Sequence, residues 1–518
     1  MTTWTIAIDW ERNGNFDSAY DDVTNRVQQT NWFLGMRKIY QEIADNSVCV
    51  FTLNNADQRF SPDNLDSPLA GKVMPLRPVR IQSNDGTTTR THWVGWIEAI
   101  KPTVNKFGER TVQILASGAL PFYKAAETAL ILQENKRTDQ IVAELIKEVV
   151  IPPALNGAWF LDRVGNSELD TSTMLADSDG YSELENGVLT LRMAADNWVR
   201  EGGFSDVPKT NFDVYHAISD ITAAERGKFF FSREGKAVFW NRHHLLLGGT
   251  TVADFDDSMT DMAYNFAGLD ECKNEVIVMC HPRSIGTVNT DVLWELGESV
   301  IRVEANKPRV NSIKYTDETN KRIGAKDVNV TGLTFESGTA IVTVAEQANG
   351  AELTFTSVAG AVVTGCVIRG RKIVDSGVIE AKASDTTSII DYGRRTLRLN
   401  LPSIDNVDGA QDIADFERNR RSYPRGMVQA LTVASHGRKG GNHHAEQLAL
   451  TLGDKINITE TQTAHSAAYY VMGEAHELTN GANLWKTTWY LEPAPTVYPW
   501  KLGAVGRSEL GNVTWLAY

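Results

Sequence analysis

Histidine is the residue type in this sequence best able to do chemistry, because its side chain binds zinc and transfers protons near neutral pH. His476-Glu477 begins like the zinc-protease motif HExxH, but no second histidine follows at the required spacing. The adjacent pairs His243-His244 and His443-His444 would point to opposite faces of a strand, so neither pair readily holds one ion. We favour surface or interface histidines. The alternative is a distributed zinc site made of His436, His443 and His465.

An acidic loop from residue 170 to residue 185 is the second place where chemistry is conceivable. Its segment Asp177-Ser178-Asp179-Gly180 resembles part of a calcium-binding loop, in which oxygen ligands recur at alternate positions. However, Leu175 stands where the first carboxylate belongs, and the closing acid, Glu185, is out of register. We therefore interpret the segment as a solvated loop, with a calcium site as the alternative.

The sequence lacks the motifs of the common enzyme classes. It has no GxSxG nucleophile elbow and no Walker loop. Pairs of catalytic carboxylates cannot be recognised from spacing, because their separation is spatial. Four cysteines in 518 residues do not form a disulfide scaffold, and Cys49, Cys280 and Cys366 lie in apolar runs. We predict a protein with no catalytic residue, no metal and no cofactor, synthesised in a reducing cytoplasm.

Composition and charge narrow the possible partners. Apolar residues make up 42% of the chain, which is typical of folded rather than disordered protein. The net charge of −14 repels nucleic acid and anionic lipid, so direct DNA binding would need a local basic patch. The first residues carry no secretory signal, and no run of eighteen apolar residues predicts a transmembrane span.

The elements that would position these residues are mainly strands. Turn residues separate them at short intervals, which indicates barrels or sandwiches. Alternating or β-branched runs predict strands at Trp4–Asp9, Ser47–Leu53, Val79–Gln82, Trp93–Ile97, Thr111–Leu115, Glu275–Met279, Ala340–Val344, Gln447–Leu452, Lys455–Thr459, Tyr469–Met472 and Lys486–Leu491.

Three segments have helical spacing, and each is expected to pack on a sheet. Thr138–Val150 has a capping threonine and apolar residues three and four apart, and it ends before two prolines. Asp213–Arg226 is followed by Gly227 as a C-cap, and Asp408–Arg421 is amphipathic. Lys228–Trp240 predicts a β-hairpin with a turn at Glu234-Gly235.

Shifts in composition divide the chain into parts. Residues 1–125 predict a β-rich unit and residues 126–251 a mixed α+β domain. A second β-rich unit would comprise residues 252–327 and 374–495, interrupted by a small all-β insertion at 328–373. Residues 496–518 form an aromatic, glycine-bearing C-terminal segment.

Two groups of basic residues stand out in this acidic chain. His436 to His444 includes Arg438 and Lys439, and its place between two predicted strands indicates a mobile hairpin tip. It would be a solvated loop, or a contact for an acidic neighbouring subunit or for a protein that passes along the inside of the assembly. The second group is a solvated helix face or a source of ion pairs between subunits. It comprises Arg394, Arg395, Arg398, Arg418, Arg420, Arg421 and Arg425.

The order of several motifs near the N-terminus resembles the first domain of one protein family. The motifs are Asp22–Val27, Thr52–Asn64, Pro68-Leu69, Pro75–Ile81 and Val94–Ile97. Pro62, Pro75 and Pro78 restrict the backbone on either side of the loops. These motifs are therefore informative about the fold and not about chemistry. The family is that of the baseplate hub or tail-tip minor tail proteins of long-tailed bacteriophages.

Motifs in the C-terminal half resemble the same family. They are Leu452–Ile456, Val471–Leu478, Trp485–Leu491, Trp500–Gly503, Ser508–Gly511 and Thr514–Leu516. The resemblance covers roughly residues 20–125 and 250–518. It implies a mainly β, multidomain fold with some α, in which the two β-rich units are tail-tube-like β-barrels.

The resemblance also implies a function, which is that of a structural virion protein made in the host cytoplasm. Such a hub lies at the distal end of the phage tail, closes the tail tube, organises the tail tip or baseplate, and forms part of the DNA conduit. The implied partners are two further copies in a homotrimer, the tail tube or distal tail protein, the tape-measure protein, and spike or fibre proteins. Aromatic residues are enriched at interfaces. We expect the docking residues to be Tyr498, Trp500, Trp515 and Tyr518, together with Arg438 and Lys439.

Two alternatives to the hub stay open at this point. The insertion at 328–373 and the 13 tryptophans would also suit a receptor- or glycan-binding tail-tip protein, for which binding on a glycan array is the test. Some tail-tip proteins carry cell-wall hydrolase domains, and activity on a zymogram would identify one here. The sequence leaves the host and the tail type, contractile or non-contractile, undetermined.

Overall fold

The computed structural model describes residues 1–103, 110–128, 138–151, 168–169, 212–241, 244–245, 249–266, 269–286, 290–347, 349–375, 377–401, 404, 407–495, 498–499 and 514–515. In this part of the chain strands far outweigh helices and form several sheets, which confirms the predicted mainly β, multidomain fold with some α. The acidic loop 170–185, and with it the calcium hypothesis, lies outside the described residues.

The N-terminal β-rich unit, which we call the N-terminal half because it supplies half of the strands of the main sheet, is built of six strands and one short 3-10 helix at Thr24–Arg26. Its strands bury alternate side chains, as the period of two predicts; Cys49, Phe51 and Leu53 are buried in one of them. The strands are β1 (Thr3–Ile8), β2 (Val27–Gly35), β3 (Val48–Asn54), β4 (Pro78–Asn84), β5 (Thr89–Pro102) and β6 (Thr111–Ser117).

The mixed unit packs helices against a hairpin. Its described helices are α1 (Leu120–Ala125), α2 (Thr138–Lys147) and α3 (Val214–Glu225), and its described strands are β7 (Glu127–Thr128), β8 (Glu168–Leu169), β9 (Phe212–Asp213), β10 (Lys228–Phe231) and β11 (Ala237–Trp240). Strands β10 and β11 pair as the predicted hairpin, and Gly235 adopts a φ of 80° in its turn. The apolar faces of α2 and α3 share one core with Phe229 and Phe239.

The cap of α3 differs from the prediction in one residue. Asp213 caps its start by accepting a hydrogen bond from the His216 amide, but the left-handed residue at its end is Arg226, not Gly227. Gly227 is needed for space instead, because a Cβ there would lie 2.3 Å from the Trp240 carbonyl oxygen. Arg226 tolerates the left-handed backbone while its guanidinium is held by Glu42 and Glu417.

The remaining elements run from residue 251 to the C-terminus. Up to residue 400 they are β12 (Thr251–Phe255), β13 (Asp261–Phe266), β14 (Glu275–Cys280), β15 (Arg283–Ile285), β16 (Asp291–Glu295), β17 (Ile301–Val303), β18 (Arg309–Lys314), β19 (Ala325–Gly338), β20 (Ile341–Glu346), β21 (Gly350–Thr356), β22 (Ala361–Asp375), β23 (Ile379–Ser384), α4 (Thr386–Tyr392) and β24 (Thr396–Asn400). The last are α5 (Val407–Arg421), β25 (Gly426–Ser435), α6 (His444–Ala449), β26 (Lys455–Glu460), β27 (His465–Thr479), β28 (Leu484–Pro493), β29 (Tyr498–Pro499) and β30 (Thr514–Trp515).

One twelve-stranded sheet joins the N-terminal and C-terminal halves. Its order is β1-β4-β5-β6-β3-β2-β27-β28-β25-β13, and β26 adds β12 beside β27. The halves meet where β2 pairs antiparallel with β27, from Thr30 opposite Leu478 to Gly35 opposite Gly473; we call this pairing the seam. The closure of each half into a barrel stays a prediction, because the strand pairings among the described residues do not join either half into a closed ring.

Two smaller units branch from the C-terminal half. Strands β23, β14 and β24 form a sheet that α5 covers with buried Ile413 and Ala414. The all-β unit surrounds the long strand β22, and its core includes Leu293 and Ile313, which precede the 328–373 segment outlined from the sequence. The domain limits therefore stay predictions.

One predicted strand is a helix. Gln447–Leu452 contains α6 and then a turn, although Leu448, Leu450 and Leu452 are all buried at alternate positions. Apolar residues at every second position are also the pattern of a strand, which explains the wrong prediction. The buried Gln447 amide instead donates to the Trp485 carbonyl and to Thr487 Oγ1, which fixes the segment as a short helix lying on β28.

The seam requires glycine on both strands. A Cβ on Gly473 would lie 2.2 Å from the Met36 carbonyl oxygen, and one on Gly35 would lie 2.5 Å from the Met472 carbonyl oxygen. Both obstacles are backbone atoms, so a side chain there cannot be accommodated by rotating a neighbour. Gly35 also adopts a φ of 93°, which favours glycine.

Replacing Gly473 by alanine tests this constraint. We expect G473A to lower the free energy of unfolding by roughly 1–3 kcal/mol, the usual cost of overpacking a buried site, as measured by urea denaturation. Gly249 is the matched control, because a Cβ there meets nothing within 4 Å. A G473A protein as stable as G249A would contradict the close approach at the seam.

Candidate assembly surfaces

The edge strands of the twelve-stranded sheet are candidate surfaces for assembly. β1 ends one side, but its outer edge is covered within the chain: the Ile8 amide donates to the Asp21 carbonyl, the Val23 amide to the Ile6 carbonyl, and the Thr2 amide to the Arg438 carbonyl. β13 ends the other side and pairs with β25, while β12 forms a further edge beside β26. An edge strand presents unpaired backbone N–H and C=O groups, so β12 and β13 are templates for a strand of another chain.

Apolar side chains accompany the edges of the C-terminal half. Phe266, the last residue of β13, is 70% exposed, and Val252 on β12 is 55% exposed. Met262 and Tyr264 of β13 turn their side chains to the core beneath that half. One face of the β13 edge is therefore packed against the core, which fixes the position of the strand, while apolar side chains of the edges are exposed to solvent.

The basic loop is not the mobile hairpin tip that the sequence predicted. It is fastened to β1, because the Arg438 carbonyl accepts from the Thr2 amide at 2.9 Å and the Gly437 carbonyl accepts from Trp4 Nε1 at 2.7 Å. His436 Nδ1 accepts from the amides of Arg438 and Lys439. α6 follows the loop directly. Arg438 and Lys439 are exposed beside the β1 edge, and their docking role stays a prediction.

Most of the second basic group is paired within the chain. Arg394 contacts Glu275 at 3.3 Å, Arg398 contacts Glu380 at 3.7 Å, and Arg418 contacts Asp415 at 3.0 Å. Arg420 and Arg421 are partly buried against acids of the chain, and Arg425 donates to the Tyr40 hydroxyl. These arginines therefore have partners within the subunit.

The histidines proposed for a distributed zinc site have separate partners. His443 Nε2 contacts Ser258 Oγ at 2.7 Å, and His465 Nε2 contacts the Tyr469 hydroxyl at 2.8 Å. Within the described residues no group of three or more potential ligands is arranged to hold a metal ion. His443 also lies in a left-handed turn before α6 rather than in a strand.

The C-terminal docking residues fall largely outside the described part of the chain. Tyr498 lies in β29 and Trp515 in β30, and these two short strands pair in parallel. Trp500 and Tyr518 are outside the described residues. The docking role of all four stays a prediction.

A buried ion pair holds the mixed unit on the seam. Arg233, in the turn between β10 and β11, donates from Nε to Glu474 Oε1 at 2.6 Å and from Nη2 to Oε2 at 2.5 Å. The two side chains are 6% and 0% exposed. Burial raises the pKa of Glu474, but the Arg233 charge and hydrogen bonds outweigh it and lower that pKa to about 2. The Arg233 guanidinium also donates to the Leu450 carbonyl next to α6.

Further buried pairs surround this contact. Lys228 Nζ lies 2.7 Å from Glu492 Oε2, which joins β10 to β28. Arg226 bridges Glu42 of the N-terminal half and Glu417 of α5. Burial raises the pKa of Glu417, but Arg226, Arg420 and Arg421 together lower it to about 2. These ion pairs connect the mixed unit to both halves of the sheet. They therefore hold the halves, with their edge strands, in one relative position.

A groove of about 470 Å³ lies between β5, the β10–β11 hairpin and α6. Phe230 and Trp240 line it, but both are buried, and His244 stacks on the Trp240 ring at 4.3 Å. The rings therefore do not offer open faces to a sugar. Within the described residues no helix is long and apolar enough to span a bilayer.

The sequence contains a signal for this buried ion pair. It lies in the motif Val471–Leu478, which we interpreted only in terms of fold. Glu474 and His476 interrupt the largely apolar segment from Tyr469 to Leu478, on the strand face that alternation assigns to the core. A charge at a buried position demands a partner. The partner, Arg233, is 241 residues away, so spacing could not identify it.

Comparisons with known proteins give distant structural likenesses. No protein-family model matches the chain, and no curated protein sequence matches it either. The chain is similar to a tail protein from Neisseria meningitidis, with 11% identity and a TM-score of 0.47, over 94% of this chain and 96% of that one. It is similar to the 43 kDa tail protein of prophage MuSo2 from Shewanella oneidensis, with 9% identity and a TM-score of 0.44, over 94% and 98% of the two chains.

A third similar structure is the prophage tail protein gp18 from Listeria monocytogenes, with 8% identity and a TM-score of 0.38, over 94% of each chain. All three are tail proteins, the class of protein that the sequence motifs resemble. Identities and TM-scores this low do not establish a shared function. The proposal below rests on the motifs and on the geometry of this chain.

Replacing Arg233 tests whether the buried pair holds the units together. We expect R233M to lower the free energy of unfolding by about 3–5 kcal/mol in urea denaturation, because Glu474 stays buried without its counter-charge. A double variant, R233M/E474M, should recover much of this loss, because an apolar pair carries no desolvation penalty.

The control is an exposed pair in the same chain. Lys307 and Glu304 lie 2.6 Å apart but are 74% and 72% exposed, so K307M should leave stability unchanged within error. Equal stability of R233M and K307M would show that Glu474 reaches water, which would contradict the buried pair.

Proposed function

We propose that this chain is a structural virion protein, the central hub at the distal end of a phage tail. In this proposal three copies form a ring that closes the tail tube and organises the tail tip or baseplate. The ordered motifs from Asp22 to Ile97 and from Leu452 to Leu516 support it, because each part matches the family's order. The role is one of assembly and conduit, without catalysis.

The observation that carries the proposal is the single sheet with open edges. Ten strands follow one path, β26 and β12 branch from β27, and the edge strands β12 and β13 are left without a further strand beside them among the described residues. Long unprotected edges are a liability in a protein that stays alone. In a ring, the edge of each subunit would be covered by the next subunit, which is a head-to-tail contact that closes after a fixed number of copies.

Charge supports a conduit for DNA. Three chains of net charge −14 give 3 × −14 = −42. Acidic residues on the inner wall of the ring would repel phosphate, so passing DNA would not adhere. A ring whose inner wall carries net positive charge would contradict this part of the proposal.

The proposed neighbours follow from the position at the tail's end. The tail tube or distal tail protein would lie above the ring, spike or fibre proteins below it, and the end of the tape-measure protein within it. Residues 496–518 would act as a docking segment, with Tyr498, Trp500, Trp515 and Tyr518 as anchors. Arg438 and Lys439 would contact an acidic neighbour.

Light scattering of the purified chain tests the ring, with a matched pair of variants. The wild type should have a mass near three times 57.3 kDa. V252D places a charge on the β12 edge and should shift the mass towards the monomer, because a buried unpaired charge disrupts an interface. Val310 on β18 is the control: it is 53% exposed against 55% for Val252, and V310D should leave the mass unchanged.

Equal effects of V252D and V310D on the mass would contradict assembly through the β12 edge. A change in both variants would reflect altered solubility, and a change only in V310D would place the interface on the all-β unit. Circular dichroism at the same concentrations confirms that each variant is folded.

Deleting residues 496–518 tests the docking segment. The truncated chain should bind its tail partner more weakly than the full chain does in a pull-down with co-expressed tail proteins. The reason is the loss of the aromatic anchors. Unchanged capture, with the truncated chain folded, would refute the docking role.

A further inference from the structure

Five aromatic side chains form a dry cluster across the seam. Trp4, Trp32 and His92 come from the N-terminal half, on β1, β2 and β5, while His476 and Trp485 come from β27 and β28 of the C-terminal half. All five are buried. The His476 ring stacks on Trp32 at 4.8 Å, and the His92 ring lies 5.0 Å from Trp4 and 6.2 Å from His476. We call these residues the Trp–His cluster.

The hydrogen bonds of His476 require a neutral ring. Trp485 Nε1–H can only donate, and it donates to His476 Nδ1 at 3.2 Å, so Nδ1 carries no proton. The Thr487 hydroxyl lies 3.0 Å from the same nitrogen. The single ring proton is therefore on Nε2, which faces Glu474 Oε2 at 3.4 Å. A second proton on Nδ1 would point directly at the indole N–H of Trp485.

The surrounding charges also oppose a charged ring. Glu474 is already neutralised by Arg233, so a protonated His476 would place two positive charges beside one carboxylate in a dry interior. The other charged groups near these residues are Arg90 of β5, Glu234 in the hairpin turn and Asp454 before β26. His444, which contacts the Trp485 ring edge at 5.5 Å, is hydrogen-bonded to Thr2 and Ser435.

Protonation of His92 in the closed seam is also unfavourable. Its Nε2 contacts Ser83 Oγ at 2.7 Å, and its Nδ1 is buried with no hydrogen-bond partner. A proton on Nδ1 would find no acceptor there, and the resulting charge would lie 6.2 Å from the second histidine. Both rings are therefore held neutral by their surroundings.

We propose that the Trp–His cluster is an acid-sensitive joint: as the pH falls, the seam between the two halves of the sheet opens, because His92 and His476 take up protons in the open state and not in the closed one. Opening admits water to both rings, each of which then takes up one proton from solvent on its free nitrogen. Trp4 and Trp32 separate from His476 and Trp485, because the contacts between them cross the seam. The all-β unit, whose core is separate, stays folded.

The direction of the pH dependence follows from the two imidazoles. Burial lowers the pKa of His92 well below 6.5, and the Arg233 charge lowers it further. Burial also lowers the pKa of His476, although Glu474 opposes this. Below pH 6.5 the open state therefore binds more protons than the closed state, so the joint is stable above that pH and weakens as the pH falls. Glu474 and Glu417, with pKa values of about 2, do not titrate in this range.

Hydrogen exchange of the full-length protein between pH 8 and pH 5 tests the joint. After correction for the intrinsic rate, protection of Val27–Gly35 and His465–Thr479 should fall at least about tenfold between pH 7.5 and pH 5.5. Protection of Ala361–Asp375 in the all-β unit should not change. Constant protection of the seam down to pH 5 would overturn the proposal.

Two variants assign the effect to the histidines. H92Q keeps a polar group opposite Ser83, and H476N keeps an acceptor for the Trp485 indole. Each should reduce the acid response, and H92Q/H476N should reduce it further, leaving the part that comes from His444, whose pKa burial also lowers. His216 on α3, which is outside the Trp–His cluster and pairs with Asp213, is the control, and H216Q should behave as the wild type does. An unchanged acid response in the double variant would overturn the proposal.

A measurement on the wild type keeps the test decisive if the double variant does not fold. In protein labelled with ¹⁵N-histidine, the nitrogen resonances of two imidazoles should stay those of the neutral ring below pH 6.5. They should change only together with the loss of protection at the seam. Protonation of all imidazoles near pH 6.5, with the seam still protected, would contradict the joint.

Discussion

The architecture depends on one charged contact in a dry interior, the bidentate pair between Arg233 and Glu474. Removing two charges from water is costly, and the geometry must be exact enough in distance and direction to offset that cost. Arg233 meets both carboxylate oxygens and the Leu450 carbonyl, so the hairpin, the seam and the segment after α6 have one relative position. A shift of the hairpin by one residue would leave Glu474 buried and unpaired.

The register of the seam gives that contact its place. Gly35 and Gly473 face each other and allow the two backbones to approach where any side chain would collide with a carbonyl oxygen. With this register the two β-rich halves form a single sheet, and the edge strands β12 and β13 both lie in its C-terminal half. The same constraint that stabilises the subunit therefore determines which surfaces are left for other copies.

Local sequence patterns predicted the elements whose signals are local. The helix at Val214–Glu225 and the hairpin of Lys228–Trp240 follow from capping, periodicity and a glycine turn, and the structure confirms both. α6 was wrongly predicted as a strand, because three leucines at alternate positions are buried by a helix followed by a turn. Glu474, Glu492 and Glu271 could not be predicted as the partners of Arg233, Arg420 and Arg421, since these contacts join distant parts of the chain. Candidate docking residues were chosen by type alone, and the exposed edges were not visible until the strand order was known.

Electron cryo-microscopy of the purified oligomer tests the central claim most directly, because it shows what lies against the open edges. The account predicts a ring of three subunits in which β12 or β13 of one subunit lies against the next subunit, with the −14 charge of each chain contributing an acidic inner wall. A particle in which the subunits touch only through the all-β unit around Ala361–Asp375, with both ends of the twelve-stranded sheet in solvent, would contradict it.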